Sequence, residues 1–552
     1  MRIHHETARV YKAVHGWIGI SIGLALFIAF FAGAVGSFKA PIQRWTTPPA
    51  PVTATPIAQV PALVERVLAV YPEAAADYLI MLEPGPAHPG RMSWKLPPGS
   101  SPHGQGPVRA YADLAPDGSL HVTRTSPSPV GGQIVQLHLK MGLPFDETIA
   151  KPITGAVAAV YFLMLVSGVI LLLPSMMNSL FARRVGGNIK RMWLDLHSGF
   201  GLFGLPFHFA ISLTAVVFCW QGQIERVQAA VFGAMPAAAE QGVVPLEHPH
   251  PEKMLTPEQL LAALARQAPG FQPSAMLYTR DDEGRTRLLI NGVDPRHAVR
   301  GPSSGAAEMD PFTGVIASAS RLPGRQDGWE ALETNLRALH FGNYGGLFVH
   351  WLYAALALGG CALVYSGNLL WIESRRIKAR GNDPELPCQP RTSRILGALA
   401  IGVPLGCVSG IAITIAAAKP LTGRVEDLAA WHYWLFYGVF LLAVIWAQLR
   451  GPGRAGVELL RATALAIASI PGVSFLATIL PFGWNHGIEG AAVDAVALVA
   501  ALAFWMMGAR ALRRSCGKPF DSLWHVPPSR AHGHATHRGP PRQTAFPAAK
   551  EE

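Results

Sequence analysis

Charge is scarce in this sequence. Only 15% of its 552 residues are charged and 50% are hydrophobic, a balance that a soluble chain of this length would not show. Cysteine is scarcer still: Cys219, Cys361, Cys388, Cys407 and Cys516 are the five present. None form a C-x-x-C pair; Cys361 and Cys407 fall in apolar runs, Cys388 and Cys516 in basic segments. Neither a disulfide framework nor a thiolate metal site is expected. No G-x-G-x-x-G opens a strand–helix unit and no Walker loop is present, so no nucleotide is expected to bring electrons or phosphate to this chain. Acidic residues are outnumbered, 35 against 46 basic, for a formal charge of +11. The Lys and Arg stand beside apolar spans, the pattern of membrane topology and not of a nucleic-acid surface.

Those spans are abundant. A crossing needs about 20 mostly apolar residues, and eight stretches qualify: 15–38, 150–174, 197–219, 346–371, 394–418, 428–449, 457–480 and 488–511. The first begins His-Gly-Trp, without a simple basic n-region, and is read as an uncleaved anchor. Arg2, Arg9 and Lys12 precede it. Arg183, Arg184, Lys190 and Arg191 separate spans two and three, and Arg375, Arg376, Lys378 and Arg380 follow span four. Arg450, Arg454 and Arg461 stand between spans six and seven, and Arg510, Arg513, Arg514 and Lys518 follow span eight. With eight alternating spans all of these fall on one side. That side is the cytoplasm by the positive-inside rule, which places both termini there in a bacterial inner membrane. The expected organisation is a first span in 1–38, an outer module at 39–149, spans two and three in 150–219, a second outer module at 220–345, span four at 346–371, four further spans in 394–511, and a disordered tail at 520–552 rich in Pro, His and Arg.

The first half repeats itself. Span one opens His15-Gly-Trp-Ile-Gly19, and span three opens His197-Ser-Gly-Phe-Gly201. Leu137-His138 precedes span two and Leu339-His340 precedes span four; these spans then carry Val166-Ser167-Gly168 and Tyr365-Ser366-Gly367. Each outer segment starts with an amphipathic helix, at 61–71 and at 256–267. The second has Thr256 as N-cap, Pro257 at N1 and Glu258 in the first turn. Each continues with strand formers around a turn, Asp117-Gly118 or Asp310-Pro-Phe-Thr-Gly314. Two small α+β modules on a mainly α, polytopic helix bundle are therefore expected.

These residues resemble the PepSY-associated transmembrane family: the His-Trp-x-Gly-type entrance, the Asp-Pro-x-Thr-Gly turn of the PepSY module and the Leu-His…Ser-Gly order, over about residues 1–380. The resemblance implies two periplasmic PepSY-like modules. It also suggests relatives among inner-membrane siderophore-iron reductases that bind b-type haem.

The histidines support that chemistry independently. A membrane histidine is costly without a partner, and neutral imidazole is a good axial ligand for haem iron. A lone one is as readily a hydrogen-bonded structural residue; six at related depths are harder to explain that way. His15 and His197 are expected at the cytoplasmic entrance, His208 and His350 at mid-membrane, and His138 and His340 at the periplasmic edge. Through the repeat His15 corresponds to His197 and His138 to His340, so a twofold axis along the membrane normal would bring each pair face to face. His208 and His350 break the repeat, Leu26 and Lys151 standing at the equivalent positions; they are a third pair or substitutes for one of the others. Two or more haems b are expected.

The expected function is transfer of electrons across the membrane to a periplasmic acceptor, by resemblance a ferric siderophore, from quinol or a cytoplasmic reductase. This would make the chain a haem-dependent ferric reductase. The alternative is a non-redox PepSY-type regulatory or binding membrane protein, which has no need of paired imidazoles. A transporter would show broken helices at mid-membrane, for which Gly204 and Pro206 are the only hint. Trp431-His432-Tyr433-Trp434 reads as an interfacial belt, with His432 a secondary candidate for quinone or haem contact. Asp494 reads as a hydrated residue near the outer surface, Asp195 as a weak candidate for orienting His197, and His486, His525, His532, His534 and His537 as loop or tail residues.

Overall fold

The structure, a computed structural model, describes residues 5–47, 54–85, 88–96, 109–125, 128–172, 189–233, 254–281, 284–297, 305–326, 328–377, 389–480, 484, 487, 490–516 and 522–526. Arg183, Arg184, Lys378, Arg380, Cys388, Lys518, His486 and the histidines at 532, 534 and 537 lie outside these residues. The tail expected to begin at 520 is described only over 522–526, where Leu523 and Trp524 pack against Gly397 and Gly453.

Seven described helices are long and apolar enough to cross a membrane. They are α1 (His5–Gly36), α5 (Glu147–Leu172), α11 (Gly346–Ser374), α12 (Arg391–Leu421), α13 (Leu428–Arg450), α14 (Pro452–Ile479) and α15 (Ala491–Cys516). The chain is a multi-pass helical membrane protein. Its expected third span is two helices, α6 (Ile189–Phe203) and α7 (Leu205–Cys219), bent by 68° at Gly204. The cause is local: Pro206 has no N–H to give the carbonyl of Leu202, and its ring crowds the preceding turn.

Short helices complete the chain: α2 (Lys39–Thr46), α3 (Val60–Val70), α4 (Val130–Leu139), α8 (Gln221–Phe232), α9 (Pro257–Gln267) and α10 (Gly328–Phe341). The strands are β1 (Asp77–Met81), β2 (Met92–Lys95), β3 (Arg109–Leu114), β4 (Leu120–Thr125), β5 (Gln272–Arg280), β6 (Thr286–Val293), β7 (Gly305–Met309) and β8 (Ile316–Ser318). They form one antiparallel sheet in the order β4-β3-β2-β1-β5-β6-β7-β8. The two expected modules are thus fused edge to edge through β1 and β5, with Leu79 opposite Leu277 at the centre of the pairing and the Tyr78 and Tyr278 rings stacked 4.8 Å apart beside it. Fusion also pairs two strands that would otherwise be open edges.

The sheet's core follows from period-two burial. Tyr78, Ile80, Met276, Tyr278, Leu288 and Ile290 point to one face, where α3 and α9 cover them. Val60, Leu63 and Val67 of α3 match Pro257, Leu260 and Leu264 of α9. Thr256 caps α9 as its sequence requires, accepting from Gln259 N at 3.3 Å while the Gln259 side chain returns the bond. The turns close on left-handed glycines, Gly118 (φ 77°) and Gly314 (φ 69°).

From the sheet, α4 and α10 lead into the helical bundle, each ending in Leu-His. The four C-terminal helices pack behind α1, α2 and α4. Within them α12 is central: 89% of its apolar window is buried. A Cβ at Gly402, Gly406 or Gly410 would lie 2.9 Å from Val444 Cα, Phe440 O or Phe436 Cδ2, so the small-residue stripe is what lets α13 approach so closely. Trp45 of α2 is fully buried in this assembly. Its Nε1 donates to Asp494 Oδ1 (2.9 Å) and Ser474 Oγ (3.0 Å), and Lys419 Nζ sits 3.7 Å over its ring. Asp494, in the first turn of α15 and half-buried, is the acceptor of this network.

Candidate cofactor site

His15 stands two turns inside the start of the ordered α1, and His197 on α6; their ring centres are 6.1 Å apart. His138 and His340 are the penultimate residues of α4 and α10; their ring centres are also 6.1 Å apart. Each histidine therefore meets its own counterpart from the other half of the repeat. His138 reaches α1 at Ala29, fourteen residues beyond His15, which separates the two levels by about 21 Å at about 1.5 Å per helical residue.

The hydrogen bonds settle which ring nitrogen carries the proton. His138 Nδ1 lies 2.8 Å from Ala29 O, and His197 Nδ1 lies 2.9 Å from Leu363 O. A carbonyl only accepts, so both Nδ1 atoms donate. His15 Nδ1 lies 3.0 Å from Ser167 Oγ, whose own proton goes to Met164 O at 2.8 Å. His340 Nδ1 lies 2.8 Å from Thr214 Oγ1, whose proton goes to the carbonyls of Ala210 (2.6 Å) and Ile211 (3.1 Å). With those carbonyls as its acceptors, each hydroxyl can accept from the imidazole. His138 and His197 are Nδ1-protonated, His15 and His340 have an acceptor placed for the same tautomer, and among the described residues no Nε2 of the four has a hydrogen-bond partner. Donation from the far nitrogen is how metal-ligating histidines are held and made more basic.

Glycines make room for the rings. A Cβ at Gly33 would sit 2.8 Å from His138 Nδ1, one at Gly168 3.2 Å from His15 Cε1, and one at Gly367 3.0 Å from His197 Cε1. The Ser-Gly pairs of the repeat thereby acquire a role that their sequence did not disclose. In both halves the glycine lets an imidazole lie against the helix, while the serine acts on the carbonyl three residues earlier; Ser366 Oγ donates to Leu363 O at 2.9 Å. Thr214 and Ala29 carried no sequence signal at all.

The other candidates are placed differently. His350 is not at mid-membrane: α10 stops at Phe341, the chain turns through left-handed Gly342 (φ 63°) and Gly345 (φ 75°), and His350 stands in the first turns of α11 against Phe38, 6.4 Å away. That is the end of the bundle nearest the sheet. His208 lies deep between α1, α5, α7 and α11, against Phe30 and Tyr161. The structure does not bring His208 and His350 together. Asp195 is exposed, and His197 is oriented by Leu363 instead. In the Trp431–Trp434 group both tryptophans face outward, but His432 is turned inward and fully buried, with neither ring nitrogen bonded.

Metal–imidazole bonds of about 2.0–2.1 Å on opposite sides of one ion, with each nitrogen about 1 Å from its ring centre, put two ring centres roughly 6 Å apart. Both pairs have that spacing. Among the described residues no three His, Cys, Asp or Glu side chains converge on a point. Two imidazoles suit a group that supplies its own equatorial ligands, and haem is such a group.

A membrane-spanning helix bundle with a repeated first half, joined to one shared sheet and carrying paired histidines, defines the class of the molecule. The chain belongs to the family described as the PepSY-associated TM region, which it matches over residues 13–374. That match ends with α11, so α12 to α15 are additional to it. Comparison with curated proteins returned no relative.

Proposed function

We propose that this chain is a b-type haem protein of the bacterial inner membrane that carries electrons across the bilayer to an acceptor on the sheet side. The observation that carries the reading is the state of the four repeat histidines: two facing pairs, every Nδ1 on a hydrogen-bond partner and, among the described residues, no Nε2 on one. His15 with His197 would hold one haem, and His138 with His340 a second. Bound there, haem supplies one-electron reduction and oxidation at each level. The protein's own part is to fix each imidazole through Ala29, Leu363, Ser167 and Thr214, and to exclude water from the levels between.

The basic loops support a periplasmic sheet and cytoplasmic termini. Ferric siderophore is the acceptor that the family resemblance suggests; reduction to ferrous iron weakens its oxygen chelation and releases it. The donor is quinol or a cytoplasmic reductase. Absorption spectroscopy of the purified protein tests the reading. Reduced-minus-oxidised bands of two bis-imidazole haems are expected, with His15→Ala or His197→Ala removing one and His138→Ala or His340→Ala the other. A protein that acts only through its sheet would show no Soret band, and that result overturns the proposal.

A further inference from the structure

Among the buried groups left unexplained by the four ligands, one lies between them. His208 is 1% exposed and neither of its ring nitrogens has a hydrogen-bond partner; Tyr161, 2% exposed, has an unpartnered hydroxyl. Their ring centres are 6.2 Å apart. A buried polar atom left unsatisfied carries the full cost of its desolvation, so three in one place are an expensive arrangement for packing alone. The slot is also shaped for the ring: a Cβ at Gly204 would meet His208 Nε2 at 2.6 Å, and one at Gly360 would meet His208 Cε1 at 3.1 Å.

Its position is as specific. Six residues separate His208 from Thr214, which holds His340, so His208 lies about 9 Å along α7 from that level, towards the other pair. It sits beside the α6–α7 break, where Pro206 leaves the Leu202 carbonyl without its helical donor. The groups around it are few. Tyr161 faces it from α5, Phe30 from α1, and Gly360 from α11, where the neighbouring Cys361 thiol turns to Phe27 O at 3.8 Å. Its own helix brings Phe207. No charged side chain is in contact with it among these groups.

Reduction lowers the net charge at a haem level by one, and a more negative neighbour favours the protonated form of a buried imidazole. We propose that His208, facing the Tyr161 ring, is a redox-linked proton site between the two histidine pairs: when an electron enters either level, the His208 imidazole takes up one proton from bulk water and becomes imidazolium. Charge then balances as one electron and one proton enter together. The inference rests on the haem reading above.

The test is spectroscopic titration of the purified full-length haem protein at a series of pH values. In the wild type at least one midpoint should fall with pH by up to a tenfold change in equilibrium per pH unit, about 59 mV for a one-electron couple. His208→Gln, which keeps a polar planar side chain, should flatten that dependence while leaving both bis-imidazole spectra intact. Tyr161→Phe, which removes only the unpartnered hydroxyl, should shift the pH at which the slope bends. Unchanged slopes and bends in both variants, with both haems in place, overturn the inference and leave the function standing. Absence of haem from the wild type overturns the function itself, and the inference with it.

Discussion

At the scale of single residues, the informative feature is the direction of four hydrogen bonds. A histidine's two nitrogens are distinct, and the bond that one makes decides what the other can do. Thr214→Val should keep the His340 ring in place but leave its Nδ1–H without an acceptor. A loss of about 10–100-fold in affinity at that level is expected, the usual effect of removing a ligand's hydrogen-bond partner, read as haem lost during dilution or competition with apo-myoglobin. Gly33→Ala tests the space and not the bond. Its new Cβ would fall 2.8 Å from His138 Nδ1, so the same level should empty while the His15–His197 spectrum persists. Equal loss at both levels would show that the glycine supports the whole bundle and not one ring.

At the scale of elements, the C-terminal helices acquire a structural part that their sequence did not suggest. They receive Trp45 and brace α4, which carries His138. Trp45→Ala should destabilise by about 3–5 kcal/mol, as large-to-small core changes do, and should lower the thermal midpoint in detergent. A midpoint that does not move would mean that α2 is not held there. In the sheet module, the Arg296 guanidinium beside Asp294 keeps its carboxyl well below the usual carboxylate range. Because the folded value is the lower one, this contribution is present above the ordinary carboxylate range and lost as pH falls through the folded value. Asp294→Asn should therefore lower the midpoint at pH 7, and the difference from wild type should close at acid pH.

At the scale of the molecule, repeat-equivalent residues of the two halves meet at the two histidine pairs and at the β1–β5 seam. Leu79 and Leu277 face each other at the centre of that seam. Leu79→Cys with Leu277→Cys should oxidise to an intramolecular disulfide, seen as a mobility shift that reductant reverses, without change in the haem spectrum. Failure to form it under mild oxidation would argue that the modules are separate in solution.

Much of this was legible from the chain alone. Apolar length determined the spans, because a bilayer demands about 20 residues of hydrocarbon-compatible helix whatever the neighbours are. The repeat determined which histidines correspond, since two copies of one local pattern fold alike. Only tertiary structure decided the rest. Whether two equivalent histidines meet depends on how the halves dock, which no local pattern encodes. Fusion of the modules is a choice of edge partner, the bend at Gly204 shows what Pro206 does to that span in its packed surroundings, and His350 was displaced from mid-membrane by two left-handed glycines. The ligand-ready state of the four imidazoles required Ala29, Thr214, Ser167 and Leu363. These lie on other helices, only Ser167 of them marked by the repeat, and become acceptors only when packing brings them within about 3 Å.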